Sequence, residues 1–203
     1  MNRKQHWEEV YRKKPEDTVS WFQPRPEISL DLIHAAGVRQ SDAVIDVGGG
    51  ASRLVDHLLA EGFTDISVLD IAEPALQKDK ARLGDAATRV HWIAADITEW
   101  QAQRQYRLWH DRAVFHFLTD PADRAAYRSN LEAALLPGGT AIIASFSLQG
   151  PERCSGLPVQ RYSHESLAAE LGPRFQLTAQ RDEAHQTPAG QIQNFQYSMF
   201  VRV

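Results

Sequence analysis

The feature that most constrains this chain is a short apolar run that stops on three consecutive glycines. Ala43-Val44-Ile45-Asp46-Val47 is rich in β-branched residues, and Gly48-Gly49-Gly50 ends it. A run of this length bounded by turn residues reads as a buried strand. Beyond the glycines, Leu54, Val55, Leu58 and Leu59 recur at helical spacing, and Gly62 closes the stripe. A strand that turns on glycines into a helix is the first half of a β-α-β unit. In an open parallel sheet such a turn lies at the carboxyl edge of the strands, where ligands bind. Glycine there tolerates positive φ and lets a ligand come close to the backbone.

The alternation continues down the chain. Ile66-Ser67-Val68-Leu69-Asp70 predicts a second strand, residues 74–83 a helix and residues 89–93 a third strand. A fourth strand is placed around residues 108–115. Asp120-Pro121 supplies an N-cap followed by proline at the first helical position. Tyr127, Leu131, Ala134 and Leu135 make the buried face of that helix. Pro137-Gly138-Gly139 predicts a turn before a fifth strand at residues 140–146, and a capped helix is expected at residues 163–171. Residues 175–181 and 195–203 read as two closing strands with no helix between them. The expected fold class is α/β: a seven-stranded, mostly parallel sheet with helices on both faces and one antiparallel strand near the C-terminus. With 203 residues the chain has the size of one domain. Ahead of the core, residues 4–14 carry Trp7, Val10 and Tyr11 at helical spacing. A Pro-rich stretch from Trp21 to Pro26 follows, and Ile28, Leu32 and Ala36 mark a second helix ended by Gly37. Residues 1–36 are read as a helical lid segment and residues 37–203 as a Rossmann-like core.

Two carboxylates fall in register with the glycine turn. Asp70 ends the second strand twenty positions after Gly50, where a carboxylate accepts hydrogen bonds from ribose hydroxyls. Asp96 follows the third strand in Ala94-Ala95-Asp96-Ile97 and suits an exocyclic amine such as that of adenine. A dinucleotide site would read G-x-G-x-x-G. Gly48 and Gly50 match, but Arg53 stands where the third glycine is needed. That disfavours a nicotinamide oxidoreductase.

On Asp46-Val47-Gly48-Gly49-Gly50, Leu69-Asp70-Ile71, Ala95-Asp96-Ile97 and Leu135-Leu136-Pro137-Gly138-Gly139, the chain resembles the class I S-adenosylmethionine-dependent methyltransferases. Ser52 departs from the family's third loop glycine. The resemblance implies that S-adenosylmethionine is the cofactor. It places Asp46, Gly48, Gly49 and Gly50 under the methionine part, Asp70 at the ribose and Asp96 at the adenine edge. Ile71 and Ile97 would flank the adenine ring.

The resemblance also puts residues 109–117 beside the transferable methyl. Asp111-Arg112-Ala113 and Asp120-Pro121-Ala122-Asp123-Arg124 look similar to thiopurine and related thiol methyltransferases. A comparable pattern occurs in small protein lysine methyltransferases. Asp111, Arg112 and His116 are the candidate catalytic residues, with His110 as a further candidate base. Arg112 suits an anionic substrate or an internal ion pair. The plainer alternative is that Asp111 and Arg112 brace the strand end and His116 packs. Tyr11 and Trp21 are expected to close over the cofactor, where aromatic faces favour a sulfonium charge. Trp7 is read equally as core. The loop at residues 150–158 is expected to shape the acceptor pocket. Its Cys154, the only cysteine, is read as inert rather than nucleophilic.

Composition trims the remaining classes. The net charge of −4 speaks against nucleic-acid binding. No apolar run reaches the roughly 20 residues of a membrane span. The polar start does not resemble a signal peptide, and a cytoplasmic location is expected. The eight histidines show no metal-ligand spacing, and no metal is expected. The leading expectation is a methyltransferase acting on a small molecule through a thiol-like or other heteroatom nucleophile. The alternatives are a protein lysine methyltransferase and a non-catalytic S-adenosylmethionine-binding protein.

Overall fold

The computed structural model describes residues 2–203. Asn2 caps the first helix, α1 (Arg3–Lys13), through a reciprocal capping box with Gln5. α2 (Glu27–Ala35) follows Pro26, and Gly37 ends its turn at φ +66°. Then come β1 (Val44–Val47), α3 (Leu54–Ala60), β2 (Ile66–Asp70), α4 (Glu73–Leu83), β3 (Val90–Ala94), β4 (Tyr106–Arg112) and α5 (Pro121–Ala134). The Asp120 carboxylate accepts from the Ala122 amide, the cap expected of Asp-Pro at a helix start. The chain continues through β5 (Leu135–Phe146), the small hairpin β6 (Arg153–Cys154) and β7 (Leu157–Pro158), α6 (His164–Leu171), β8 (Phe175–Gln186) and β9 (Ile192–Arg202).

Seven strands form one sheet in the order β3-β2-β1-β4-β5-β9-β8. β1 through β5 pair in parallel, and β9 runs antiparallel to both β5 and β8. The mostly parallel sheet with one antiparallel strand expected from the sequence is therefore present. The strand order reverses between β2-β1 and β1-β4, which opens a crevice at the carboxyl ends of these strands. β1 and β2 are buried along their whole length. That is why they read as continuous apolar runs rather than as alternating ones.

Two details differ from the sequence reading. Pairing on β5 begins at Leu135, opposite Tyr106, and the register shifts before Leu108. Gly138 still turns at φ +70°, so the turn is a kink inside a longer strand. Leu30, Leu32 and Ile33 of α2 are buried in the core with Val44, Leu58 and Ile142. α2 is thus part of the core, and the covering segment expected over residues 1–36 narrows to α1 and the stretch around Trp21.

Candidate functional site

The glycine turn is fastened to the end of β2. The Gly48 and Gly49 amides donate to the Leu69 carbonyl at 2.7 and 3.2 Å. The Gly50 amide donates to Asp70 Oδ2 at 3.0 Å, and the Ala72 amide to Asp70 Oδ1 at 2.8 Å. Ala51, at φ +58°, donates to Asp79 Oδ2 at 2.9 Å. A Cβ on Gly50 would lie 2.6 Å from the Ala75 Cβ and 2.7 Å from Asp70 Oδ2, so the turn accepts only glycine there. Burial pushes the Asp70 carboxyl up to about 6, against the pull of the Ala72 and Gly50 amides.

Above this floor lies a cavity of about 770 Å³. Val47, Gly48, Leu69, Asp70 and Ile71 form its floor, and Asp96 and Ile97 its wall after β3. Trp7, Tyr11 and Trp21 cover it together with Phe117. Trp7 meets Trp21 edge-on at 5.8 Å and Phe117 at 4.9 Å between ring centroids. The Arg3 guanidinium ties α1 down by donating to both Asp96 oxygens at 3.2 Å and pairing with Asp123. At the far end stand Arg112, Cys154 and Phe195.

A second cavity of about 470 Å³ lies on the other side of Gly48, beside Gly49 and Gly50. Asp46, His110 and Ser29 line it. His110 Nδ1 is 2.7 Å from Asp46 Oδ1, and its Nε2 is 2.9 Å from Ser29 Oγ. Asp46 Oδ2 is buried with no partner among the described residues. Arg112 lines both cavities. Its Nε donates to the Tyr197 hydroxyl and its Nη1 to the Trp21 carbonyl, both at 2.8 Å. Its Nη2 has no hydrogen-bond partner among the described residues and stands 3.8 Å from Glu183 Oε2. The guanidinium lies over the Phe195 ring at 4.7 Å.

Residues 44–139 match a family described as "Methyltransferase domain", and this stretch runs from β1 through the turn into β5. It contains the glycine turn, Asp70 and Asp96. Over this stretch, just under half of the chain, the protein is similar to S-adenosylmethionine-dependent methyltransferases. The N-methyltransferase NodS of Bradyrhizobium japonicum, solved with S-adenosyl-L-homocysteine, superposes with a TM-score of 0.69 at 16% identity. That superposition covers 96% of this chain and 97% of that one, and the likeness is one of fold. A malonyl-[acyl-carrier protein] O-methyltransferase from Anoxybacillus flavithermus is 32% identical over 91 residues, 44% of this chain and 34% of that protein. An eEF1A lysine and N-terminal methyltransferase from Mus musculus is 23% identical over 94 residues, 46% of this chain and 13% of that protein. The match thus spans 34% and 13% of the length of these two curated relatives.

The structure brings most of the anticipated residues to the two cavities. Asp70, Ile71, Asp96, Ile97 and Tyr11 line the first, Asp46, Gly49 and Gly50 the second, and Trp21, Gly48 and Arg112 both. Trp7, read equally as core, is 8% exposed and joins the cover. Asp111 and His116 line neither cavity. Asp111 is fully buried and accepts from the Val114 and Phe115 amides and from the Tyr127 hydroxyl. Its carboxyl is pushed up to about 6 by burial. It braces the turn after β4, the plainer of the two readings the sequence offers for it. His116 is fully buried, and its Nδ1 accepts from the Phe146 amide. Desolvation lowers its pKa to about 3, which keeps the ring neutral, and it packs against Phe146. Cys154 faces the cavity, but burial raises its thiol pKa and leaves it a poor nucleophile. Sequence reasoning missed Arg3, Ser29 and the Tyr197–Glu183 pair around Arg112. Each comes from an element distant in sequence, and no local motif marks it.

Proposed function

We propose that this chain transfers a methyl group from S-adenosylmethionine to a small-molecule acceptor with a soft nucleophile, such as a thiolate, or another heteroatom holding a free lone pair. The chain's own residues fit the donor. Asp46 Oδ2 is an orphaned buried acceptor beside the glycine turn, and an orphan of this kind is costly unless a ligand satisfies it. Asp46 suits the donor's α-ammonium, Asp70 its ribose hydroxyls and Asp96 its adenine amine. Bound S-adenosylmethionine supplies an electrophilic methyl on a sulfonium sulfur. Trp7, Tyr11 and Trp21 exclude water and present aromatic faces toward a cation.

The observation that carries the acceptor class is the make-up of the main cavity. No histidine is among its lining residues. Burial raises the pKa of both Tyr11 and Cys154, which makes each a weak proton acceptor in its ordinary state. The site holds and orients, and the nucleophile must arrive with its lone pair free. Arg112 is the one cation at the far end of the cavity, and its Nη2 suits an anionic group of the acceptor. The cover favours a small molecule over a folded protein, because a lysine-bearing chain would have to enter past α1. The test is Arg112→Ala. The acceptor's KM is expected to rise about tenfold or more, the loss of one charge-assisted hydrogen bond. S-adenosylhomocysteine affinity should hold within about threefold. A tenfold loss of S-adenosylhomocysteine affinity with an unchanged acceptor KM would assign Arg112 to the donor instead.

A further inference from the structure

The second cavity holds a buried chain of three polar side chains from three elements: Ser29 of α2, His110 of β4 and Asp46 of β1. Their exposures are 1%, 2% and 2%. Asp46 Oδ1 can only accept, so His110 Nδ1–H donates to it at 2.7 Å and Nε2 takes the Ser29 hydroxyl at 2.9 Å. Buried polar groups persist when they are paired. Every heteroatom of this chain is paired except Asp46 Oδ2. The terminal torsion of an aspartate is otherwise broad and roughly two-fold. A partner on one oxygen fixes where the other points.

The same residue types in this order also make hydrolytic triads. That use fails here. Ser29 is closed off from solvent, and the nearby loop amides that would stabilise an oxyanion are spent. Those of Gly48 and Gly49 donate to the Leu69 carbonyl, that of Gly50 to Asp70 and that of Ala51 to Asp79.

We propose that His110, held in turn by Ser29, is a positioning residue that occupies one oxygen of Asp46 and aims the other at the α-ammonium of the methyl donor. The assignment rests on the methyl-donor reading above. It links α2 to the amino-acid end of the donor through an acceptor that would otherwise stay orphaned. His110 touches no reacting atom, so its signature is selective. It should matter only for ligands that carry the amino-acid end.

The test is calorimetric titration of the full chain with two probes: S-adenosylhomocysteine, and 5′-methylthioadenosine, a nucleoside thioether without the amino-acid end. His110→Ala is expected to weaken S-adenosylhomocysteine about tenfold, the worth of one well-placed charge-assisted hydrogen bond. It should leave 5′-methylthioadenosine within about twofold. His110→Asn keeps an N–H donor close to the place of Nδ1 and should restore S-adenosylhomocysteine to within about threefold. Ser29→Ala should give a smaller loss, again for S-adenosylhomocysteine only. If His110→Ala fails to fold, as a thermal melt would show, His110→Asn and Ser29→Ala carry the comparison. Equal weakening of both probes, or no weakening of either, overturns the assignment. A wild-type chain that binds neither probe overturns the methyl-donor reading itself.

Discussion

At the scale of single residues, the site depends on carboxylates whose neighbours decide what each can do. Asp70 already accepts one backbone N–H on each oxygen. Burial lifts its pKa to about 6, while the ribose role proposed for it needs the carboxylate as an acceptor. Protonation therefore competes with donor binding. S-adenosylhomocysteine affinity should fall as pH drops through about 6, by at most about tenfold per pH unit. Asp70→Asn should lose roughly ten- to hundredfold in affinity and flatten that pH response. A pH response unchanged in Asp70→Asn would take Asp70 out of the ribose site. Gly50→Ala forces a methyl into Asp70 and Ala75. It should cost about 1–3 kcal/mol of stability by denaturant titration, as overpacking does, together with donor affinity. Asp70 and Gly50 were legible because their spacing from the strand ends is a property of the turn itself. Asp111 and His116 line neither cavity, because a motif gives position along a strand but not the face a side chain takes. Asp111 accepts from the Val114 and Phe115 amides.

At the scale of elements, α1 is a cover fastened by few bonds. Arg3 holds it through Asp96 and Asp123, while Trp7 and Tyr11 pack over the donor cavity. Asp96 is also the residue proposed for the adenine amine, so cover and donor meet on one carboxylate. Arg3→Ala should speed amide hydrogen exchange in α1 severalfold and leave the sheet strands unchanged, as expected for a locally opening unit. Equal acceleration in β1 and β4 would mean that Arg3 supports the whole fold. The helices and parallel strands were legible because glycine and proline punctuate them: Gly37, Gly62 and Pro121 stand at their ends. The Ser29–His110 contact was not, since it joins residues 81 positions apart and no periodicity marks it. The longer β8 and β9 were missed for a different reason. Their outer ends run through Arg181, Asp182, Glu183 and Gln193, a polar stretch that pairs regularly at the sheet edge without an apolar pattern.

At the scale of the whole molecule, the reversal of strand order around β1 and β4 places both cavities at one edge of the sheet. The two cavities are then neighbours that share Trp21, Gly48 and Arg112. No helix among the described residues is long and apolar enough to cross a membrane. S-adenosylhomocysteine at about a hundred times its Kd should stabilise the fold by about 2.7 kcal/mol. For a chain of this size that corresponds to a Tm increase of roughly 5–10 °C, readable by differential scanning calorimetry. Acceptor identity was the least legible property. The residues proposed to set it, the cover, Arg112 and Phe195, come from the start, the middle and the end of the sequence. The central claim is methyl transfer to a small acceptor without a protein general base. Its most direct test incubates the full chain with methyl-labelled S-adenosylmethionine and a cell extract separated into protein and small-molecule fractions. Label is predicted in the small-molecule fraction, its initial rate reduced about tenfold in Arg112→Ala at low acceptor concentration and retained in His116→Gln. Label confined to protein, or no transfer by a chain that binds the donor, would contradict it.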